Sequence, residues 1–259
     1  MGILQIESWK RFPWLRHGFS TRAGGVSTVY DPAGDLNLGF TRDDGPALVD
    51  RNRQLFLDQL GASNLATLRQ VHSNLTVLVD APGPAGEGDG LITGRPNLTL
   101  GIHTADCTPV FLADTRLHVV AAFHAGWRGT AAAIVEKGVH KLIETFHSDP
   151  ADLIAAIGPA VGPCCYTVGE EVHAKFHENF PYASDLFQTK DLHLYVNLAE
   201  ANRRQLLAAG LAPANIAVLA QCTACTRDGD RRRFFSHRAE HGFTGRMLNA
   251  IAIVPPTQP

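Results

Sequence analysis

Short apolar runs separated by polar turns occupy most of the chain, and runs of this length predict buried strands. Residues 116–130, RLHVVAAFHAGWRGT, predict a strand, a tight turn and the start of a helix. Residues 97–114, NLTLGIHTADCTPVFLAD, predict two strands joined by a polar turn at 104–107. A turn that only reverses the chain needs glycine, so the His, Trp and Arg in HAGWRG require a further explanation.

Two neighbouring segments extend this pattern. Residues 65–73, LATLRQVHS, predict a strand, and Leu68, Gln70 and His72 then share one face because successive side chains of a strand alternate. The glycine-rich stretch PGPAGEGDG at 82–90 predicts a loop.

Apolar residues at helical spacing predict three longer helices. The first runs from Leu48 to Gly61, the second begins at a candidate N-cap, Thr130, and the third ends at Gly210. Strands and helices mix without a regular βαβ order, which favours an α+β fold with mixed sheets over a doubly wound parallel sheet. No linker-like segment divides the chain, so we predict a single domain over residues 1–259.

Charge and composition exclude several classes of function. The formal net charge of −2 and a pI near 6.6 leave no basic surface for nucleic acid, and the one basic run, at 231–233, is read as a solvated loop. No apolar stretch approaches the roughly 20 residues that span a bilayer. The N-terminal residues lack the pattern of a secretory signal. We therefore expect a cytoplasmic protein without membrane or nucleic-acid partners.

The five cysteines are an odd number in a chain without a signal, which argues against a disulfide framework. Cys222 and Cys225 form a CxxC pair, typical of a metal knuckle or a redox pair. Cys164 and Cys165 are adjacent, so we expect their side chains to point apart and not to complete a four-cysteine site.

His72, Cys107 and His124 stand at the ends of three predicted strands, where the terminal turns of one sheet can converge. Two imidazoles and one thiolate suit Zn²⁺ with the fourth position open, the arrangement of a catalytic site. The alternative is that both histidines are hydrogen-bonded core residues and that Cys107 is a small hydrophobe. Arg128 either binds an anion at the predicted helix N-terminus or caps a neighbouring loop.

Seven motifs occur in an order typical of one family: RAGGVS, LNLG, RQVHS, TADCTPVFLAD, AAFHAGWRGT, AIGPAVGPCCYTVG and FFSHRAEHGFTGRM. From about Gly18 to Val254, the sequence resembles the YfiH-type proteins, known as multicopper polyphenol oxidoreductases or laccases, peptidoglycan editing factors and purine nucleoside phosphorylases. The resemblance implies a single α+β domain with mixed sheets packed between helices, similar to cytotoxic-necrotizing-factor-like hydrolases.

The resemblance also implies a zinc enzyme, with copper less expected, that cleaves adenosine, inosine and 5′-methylthioadenosine with phosphate and deaminates adenosine. Its metal ligands carry over to His72, Cys107 and His124. The implied partners are a nucleoside and phosphate, and the implied assembly is a monomer or small homo-oligomer. The remaining site residues fall in flanking motifs: catalytic Asp106 and Arg128 beside Cys107, and substrate-binding Asn37, Arg51 and Gln70.

Individual roles follow as hypotheses. Asp106 protonates the ammonia that leaves in deamination, Arg128 and Arg51 hold phosphate, and Asn37 holds the ribose or the base. The sequence departs from the family pattern at Asp35, at Thr167 and in FSHRAE, where His237 and Ala239 put contacts at the cavity rim in doubt.

Three other functions remain open at this point. A copper oxidase of phenols needs more copper ligands than one visible triad, and an axial methionine exists only at Met1 or Met247. A hydrolase that edits cell-wall precursors would use Cys107 as nucleophile with a histidine as base. A binding protein with a purely structural zinc would need a fourth ligand, for which His103 is the candidate.

Overall fold

The computed structural model describes residues 2–255, and eighteen strands and five α-helices lie within them. The helices are α1 (Pro46–Leu60), α2 (Trp127–Ala131), α3 (Ile134–Phe146), α4 (Glu170–Asn179) and α5 (Leu198–Ala208), with 3₁₀ turns at Glu7–Arg11, Pro150–Asp152, Ala183–Leu186 and Pro213–Asn215. The first nine strands are β1 (Ile3–Leu4), β2 (Leu15–Ser20), β3 (Ala23–Ser27), β4 (Leu65–Arg69), β5 (Thr76–Leu78), β6 (Gly83–Glu87), β7 (Gly90–Thr93), β8 (Thr99–Thr104) and β9 (Thr108–Asp114). The other nine are β10 (Val119–Ala125), β11 (Leu153–Ile157), β12 (Thr167–Val168), β13 (Phe187–Lys190), β14 (His193–Val196), β15 (Ile216–Val218), β16 (Arg227–Asp228), β17 (Arg231–Arg232) and β18 (Met247–Ile253).

Two six-stranded mixed sheets form the centre of the molecule. The first sheet has the order β1-β2-β18-β8-β4-β6, and the second has the order β15-β11-β9-β10-β7-β5. In the first sheet β4 pairs in parallel with both β6 and β8, whereas β2, β18 and β8 are antiparallel. The α+β class with mixed sheets is therefore confirmed. Its extent as one domain over residues 1–259 stays a prediction, since residues 1 and 256–259 lie outside the described part.

Helices cover the outer faces of the two sheets, and the inner faces pack on each other. Phe19 of the first sheet stacks on Phe111 of the second with ring centroids 4.5 Å apart. On β10, Val120 and Ala122 face this inner core, while Val119, Ala121 and Phe123 pack under α3 and α5. A strand buried on both faces carries a continuous apolar run, which explains VVAAF. None of the helices in residues 2–255 is long and apolar enough to cross a membrane.

The predicted helix at 48–61 is α1, whereas three other expectations were wrong. Residues 83–87 form β6, an edge strand held by backbone pairing to β4, which a glycine-rich side-chain pattern does not reveal. The strand predicted at 65–73 ends at Arg69, so Gln70 and His72 lie in a turn, where His72 has φ 60°. Thr130 is buried inside α2, and α3 begins after Ala133 instead.

The buried His17 of β2 gives the fold a testable pH dependence. Burial lowers its pKa to about 4, and its Nε2 accepts the Ile6 N–H at 2.8 Å, so the imidazole is neutral in the folded protein. The unfolded chain has the ordinary value of 6.5 and binds a proton first. The contribution of His17 to stability is therefore complete above pH 6.5 and is lost as the pH falls to 4, by at most about 3 kcal/mol.

We expect that His17→Gln, which keeps an acceptor for Ile6, flattens the fall in the free energy of unfolding between pH 6.5 and 4. Urea unfolding at a series of pH values measures this. The exposed His140→Gln is the control and should keep the wild-type slope. An unchanged slope in His17→Gln would contradict the assignment.

Candidate metal centre and cavity

Two turns and the end of strand β10 bring His72, Cys107 and His124 together, as expected from the sequence. Their ligand atoms all lie within 4.8 Å of one another. His72 Nε2 is 3.9 Å from Cys107 Sγ, and the two imidazole rings are 4.9 Å apart at an interplanar angle of 78°. His72 follows β4 of the first sheet, His124 is on β10 of the second, and Cys107 lies in the turn that passes from β8 to β9.

The Asp89 carboxylate accepts hydrogen bonds from the segments that carry both histidines. The sequence did not indicate this residue, because Asp89 stands in the glycine-rich stretch that was predicted to be a loop. Its Oδ1 accepts the His124 Nδ1–H at 2.8 Å and the His72 backbone N–H at 3.0 Å. Its Oδ2 accepts the Ser73 N–H at 2.6 Å and the Ser73 hydroxyl at 2.7 Å. An Nδ1 proton bonded to carboxylate leaves Nε2 of His124 as the donor atom, which is how carboxylates orient metal-binding histidines.

The protonation states of the centre suit a cation. Burial opposes ionisation of Asp89, but hydrogen bonds from His124 and Ser73 outweigh it and lower its pKa to about 2. Burial also disfavours the Cys107 thiolate, yet His124 and His72 lower its pKa to about 6. Burial lowers the pKa of His124, whereas Cys107 and Asp89 raise it to about 9. A cation between the three side chains would take the place of the proton on His124.

The glycines of HAGWRG are required for close approach. A Cβ on Gly126 would lie 3.0 Å from both Cys107 Sγ and His72 Cδ2, and a Cβ on Gly129 would lie 2.7 Å from the Ser73 carbonyl oxygen. Gly126 has an ordinary φ of −69°, so space and not conformation demands glycine there. The turn therefore closes one side of the centre.

The donor set fits a metal with an open fourth position. Two imidazole nitrogens and a thiolate are typical zinc ligands. His103, the candidate fourth ligand, is outside the group, since its Nε2 lies 2.9 Å from Arg53 Nη2 and 3.1 Å from the Leu38 carbonyl. A closed structural site on this triad therefore lacks the fourth ligand that the sequence suggested.

Asp106 precedes Cys107 and anchors the turn that presents it. Its Oδ1 accepts hydroxyl hydrogen bonds from Thr223 at 2.6 Å and Ser236 at 2.7 Å, and its Oδ2 accepts the Arg238 N–H at 2.6 Å. The residue is buried and has φ 94°, in the left-handed region that non-glycine residues rarely adopt. These contacts favour a positioning role, and the role of proton donor stays a prediction.

The amide residues predicted to bind substrate have structural partners. The Gln70 side chain donates to the His103 carbonyl at 2.7 Å and accepts the His103 N–H at 2.8 Å. These two hydrogen bonds fix the turn that carries His72. Gln70 also lines the cavity. Asn37 is fully buried and outside the cavity lining, and its side chain bonds Asp44 and the Arg246 N–H. Direct contact of Asn37 with substrate is therefore not supported.

Helix α1 presents Arg53, and not the predicted Arg51, to the cavity. The two residues are separated by about 200° around the helix, so only one can face inward. The Arg53 guanidinium donates to the Leu38 carbonyl at 2.8 Å and lies over the Phe40 ring at 4.2 Å. Arg128 lines the same cavity and lies over Trp127 at 4.3 Å, with no carboxylate partner among the described residues.

A cavity of about 1110 Å³ opens above the triad. Trp127 and Tyr166 supply aromatic faces, and His237 contributes to the lining as well. Five arginines and two aspartates are among its described lining residues: Arg53, Arg69, Arg128, Arg238, Arg246, Asp50 and Asp106. The excess of guanidinium groups favours an anionic ligand.

A second cluster contradicts the expectation for the other cysteines. The side chains of Cys164 and Cys165 do not point apart, and they complete a four-cysteine group: their sulfurs and those of Cys222 and Cys225 all lie within 4.8 Å of one another. The loops that carry the two pairs are joined by an isolated parallel bridge, which sequence spacing does not reveal.

The chain is similar to known proteins over nearly its whole length. Residues 16–254 match the family model described as multi-copper polyphenol oxidoreductase laccase. A purine nucleoside phosphorylase of Deinococcus radiodurans is 37% identical, with 92% of this chain and 88% of the relative covered. Purine nucleoside phosphorylase YlmD of Geobacillus stearothermophilus is 35% identical, with 92% and 93% covered. The crystal structure of the hypothetical protein YfiH from Bacillus licheniformis superposes with a TM-score of 0.89 at 35% identity, covering 97% of this chain and 96% of that chain.

With Zn²⁺ as the probe ion, we expect Asp89→Asn to weaken metal binding by roughly 10–100-fold, because the amide cannot accept from all the donors that fix His124 and the 72–73 turn. Competition with a chromophoric chelator measures the affinity. Asp114→Asn is the matched control, since Asp114 is equally buried and accepts backbone N–H groups at the far end of β9. Equal affinities in the two variants would exclude the orienting role of Asp89.

Gly126→Ala should also weaken zinc binding, because its methyl group displaces Cys107 or His72, and overpacking of this kind costs about 1–3 kcal/mol. Gly45→Ala is the control: both glycines are helix N-caps, with φ −69° and −67°, but a Cβ on Gly45 meets nothing closer than 3.8 Å. Chelator competition and thermal unfolding should separate the two variants, and a wild-type affinity in Gly126→Ala would contradict the clash.

Proposed function

The chain belongs to the multi-copper polyphenol oxidoreductase laccase family, and on that premise we propose that it is a purine nucleoside phosphorylase. The observation that carries the proposal is the cavity, in which a metal-binding donor set, arginines and aromatic rings share a space large enough for a nucleoside. Curated relatives named purine nucleoside phosphorylase support the same reaction class.

Phosphorolysis joins a phosphate oxygen to the anomeric carbon of the ribose while the bond from that carbon to the purine nitrogen breaks. The electron pair of the broken bond leaves with the purine. Arg128 is the proposed phosphate ligand, because a guanidinium without a carboxylate partner is available for bidentate hydrogen bonds. Arg53 takes the supporting role that the sequence suggested for Arg51.

The purine is proposed to stack on the aromatic faces of Trp127 and Tyr166. Burial raises the pKa of Tyr166 to about 12, so its hydroxyl remains a hydrogen-bond donor at neutral pH. These contacts do not depend on the substituent at the purine C6. Adenosine, inosine and 5′-methylthioadenosine therefore remain the proposed substrates.

We assign zinc to His72, Cys107 and His124, where it would supply a Lewis acid that serves adenosine deamination in the same cavity. Asp89 holds His124 in the tautomer that this ligation needs. A blue-copper centre lacks support, since the sulfur of Met247 accepts the Phe235 N–H at 3.1 Å. Met1 lies outside the described residues.

One observation favours a second candidate, a hydrolase that edits cell-wall precursors. The thiolate of Cys107 beside the protonated His124 is the pairing that activates a cysteine nucleophile, since the pKa of the thiol is lowered and that of the imidazole raised. The thiolate would attack the carbonyl carbon of an amide, and the C–N bond would break as the proton of His124 passes to the leaving amine. Water would then hydrolyse the acyl-enzyme, which releases the carboxylic acid and restores the thiolate and the protonated imidazole. Such an enzyme needs no metal, so activity that survives complete removal of zinc would favour it.

The purified protein is expected to convert adenosine to adenine only with phosphate present and to inosine with or without it. Arg128→Ala should raise KM for phosphate by at least about tenfold, as expected for the loss of a charge-assisted pair of hydrogen bonds. Its deamination rate should stay close to wild type, because no phosphate takes part. Chromatography of the products measures both reactions in one sample.

Arg116→Ala is the control, since Arg116 is an exposed arginine that pairs with Asp152 away from the cavity. An unchanged KM for phosphate in Arg128→Ala would overturn the assignment of that residue. Complete absence of adenine and inosine with the zinc-loaded wild type would overturn the proposed function and leave the hydrolase to be tested.

A further inference from the structure

Two loops outside the catalytic centre bring four cysteines together. Cys164 and Cys165 lie between β11 and β12, whereas Cys222 and Cys225 lie between β15 and β16. All four sulfurs are mutually within 4.8 Å, and Cys164 Sγ is 3.7 Å from Cys225 Sγ. Two of the side chains are half-buried and two are exposed, so the cluster is close to the surface.

The 3.7 Å between the sulfurs of Cys164 and Cys225, with all four sulfurs within 4.8 Å of one another, is compatible with a tetrahedral metal site. Zinc–thiolate bonds of about 2.3 Å place the sulfurs of a tetrahedron about 3.8 Å apart. A disulfide instead brings two sulfurs to about 2.05 Å and leaves the other pair without a reason to converge. Mutual proximity of all four is the geometry of one shared cation.

We propose that Cys164, Cys165, Cys222 and Cys225 bind a structural zinc ion that is separate from the His72–Cys107–His124 centre. Four protein thiolates close the coordination shell and leave no position for substrate or water. The role of such a site is therefore to stabilise the structure. The inference does not rest on the proposed nucleoside chemistry.

Backbone hydrogen bonds fix the two turns that carry the cysteines. The Gly162 N–H donates to Cys222 Sγ at 3.2 Å. The Cys222–Cys225 turn is closed by the Thr226 N–H, which donates to the Cys222 carbonyl at 3.0 Å, and the Cys165 N–H closes the opposite turn on the Gly162 carbonyl, also at 3.0 Å. Each pair thus lies in a hydrogen-bonded turn, and the two turns face each other.

A neighbouring arginine offsets the negative charge of the cluster. A zinc ion with four thiolates carries a net charge of −2, and the Arg232 guanidinium donates to the Ala224 carbonyl between the two CxxC cysteines at 3.2 Å. Arg231 and Arg233 are ion-paired with Asp31 and Asp228. The basic run at 231–233 is therefore not the solvated loop that the sequence suggested.

The cluster joins the loops that hold the catalytic turn. Thr223, next to Cys222, donates to the Asp106 carboxylate at 2.6 Å, and the Val161 N–H donates to the Asp106 carbonyl at 2.9 Å. Tyr166, next to Cys165, lines the cavity. A metal ion that joins the two loops would restrain the positions of Asp106 and Tyr166 without contacting the substrate.

Zinc content of the full-length protein, purified under reducing conditions, tests the inference. We expect two zinc ions per chain in the wild type, one in Cys107→Ser and one in the double variant C222S/C225S. In Cys107→Ser, X-ray absorption at the zinc edge should show four sulfur neighbours at about 2.3 Å and no nitrogen neighbours. This measurement leaves the four cysteines unaltered, so it stands even if the double variant fails to fold.

Cys107→Ser protein with four reactive thiols and no zinc would overturn the proposal. The proposal would also be overturned if the intact mass of the protein, measured without reductant, were lower by two hydrogen atoms for each disulfide formed. Where C222S/C225S folds, its KM for adenosine should rise several-fold while the first zinc is retained, as expected of a positioning site. Zinc stoichiometry is measured independently of nucleoside turnover, so failure of the proposed function leaves this result interpretable.

Discussion

The buried carboxylate of Asp89 is the constraint on which the site depends. It stands between β6 of the first sheet and β7 of the second, and it accepts hydrogen bonds from the turn that carries His72 and from the imidazole of His124. An ionised carboxylate without these donors would be costly to bury, and the donors without it would be unsatisfied. Each ligand-bearing segment therefore stabilises the position of the other.

The centre also connects the two sheets. Cys107 lies in the crossover between β8 of the first sheet and β9 of the second, and the ligands of the triad come from both sheets. Left-handed backbone at His72 and Asp106, together with a glycine at 126, lets the turns approach closely enough for their side chains to meet. The strain of these positions is carried by a core that packs tightly on both sides of the sheets.

The two clusters of ligands have different chemical characters. The triad has an open side that faces a cavity lined by arginines and aromatic rings, which suits catalysis. The four cysteines lie close to one another on two loops, and Thr223 and Val161 of these loops hydrogen-bond Asp106 in the turn that carries Cys107.

The sequence by itself determined the α+β class, helix α1, the central strands β8, β9 and β10, and the three residues of the triad, because apolar periodicity and chemically distinctive motifs are local properties. Only the tertiary structure decided which polar residues meet. Asp89 and the four-cysteine cluster depend on contacts between segments distant in the chain, and no periodicity records such contacts. The choice of Arg53 over Arg51 depends on how α1 is rotated against the sheet. The side-chain amide of Gln70 is occupied by the backbone of His103, and that of Asn37 by the Asp44 carboxylate and the Arg246 N–H; only the folded chain brings those partners within reach.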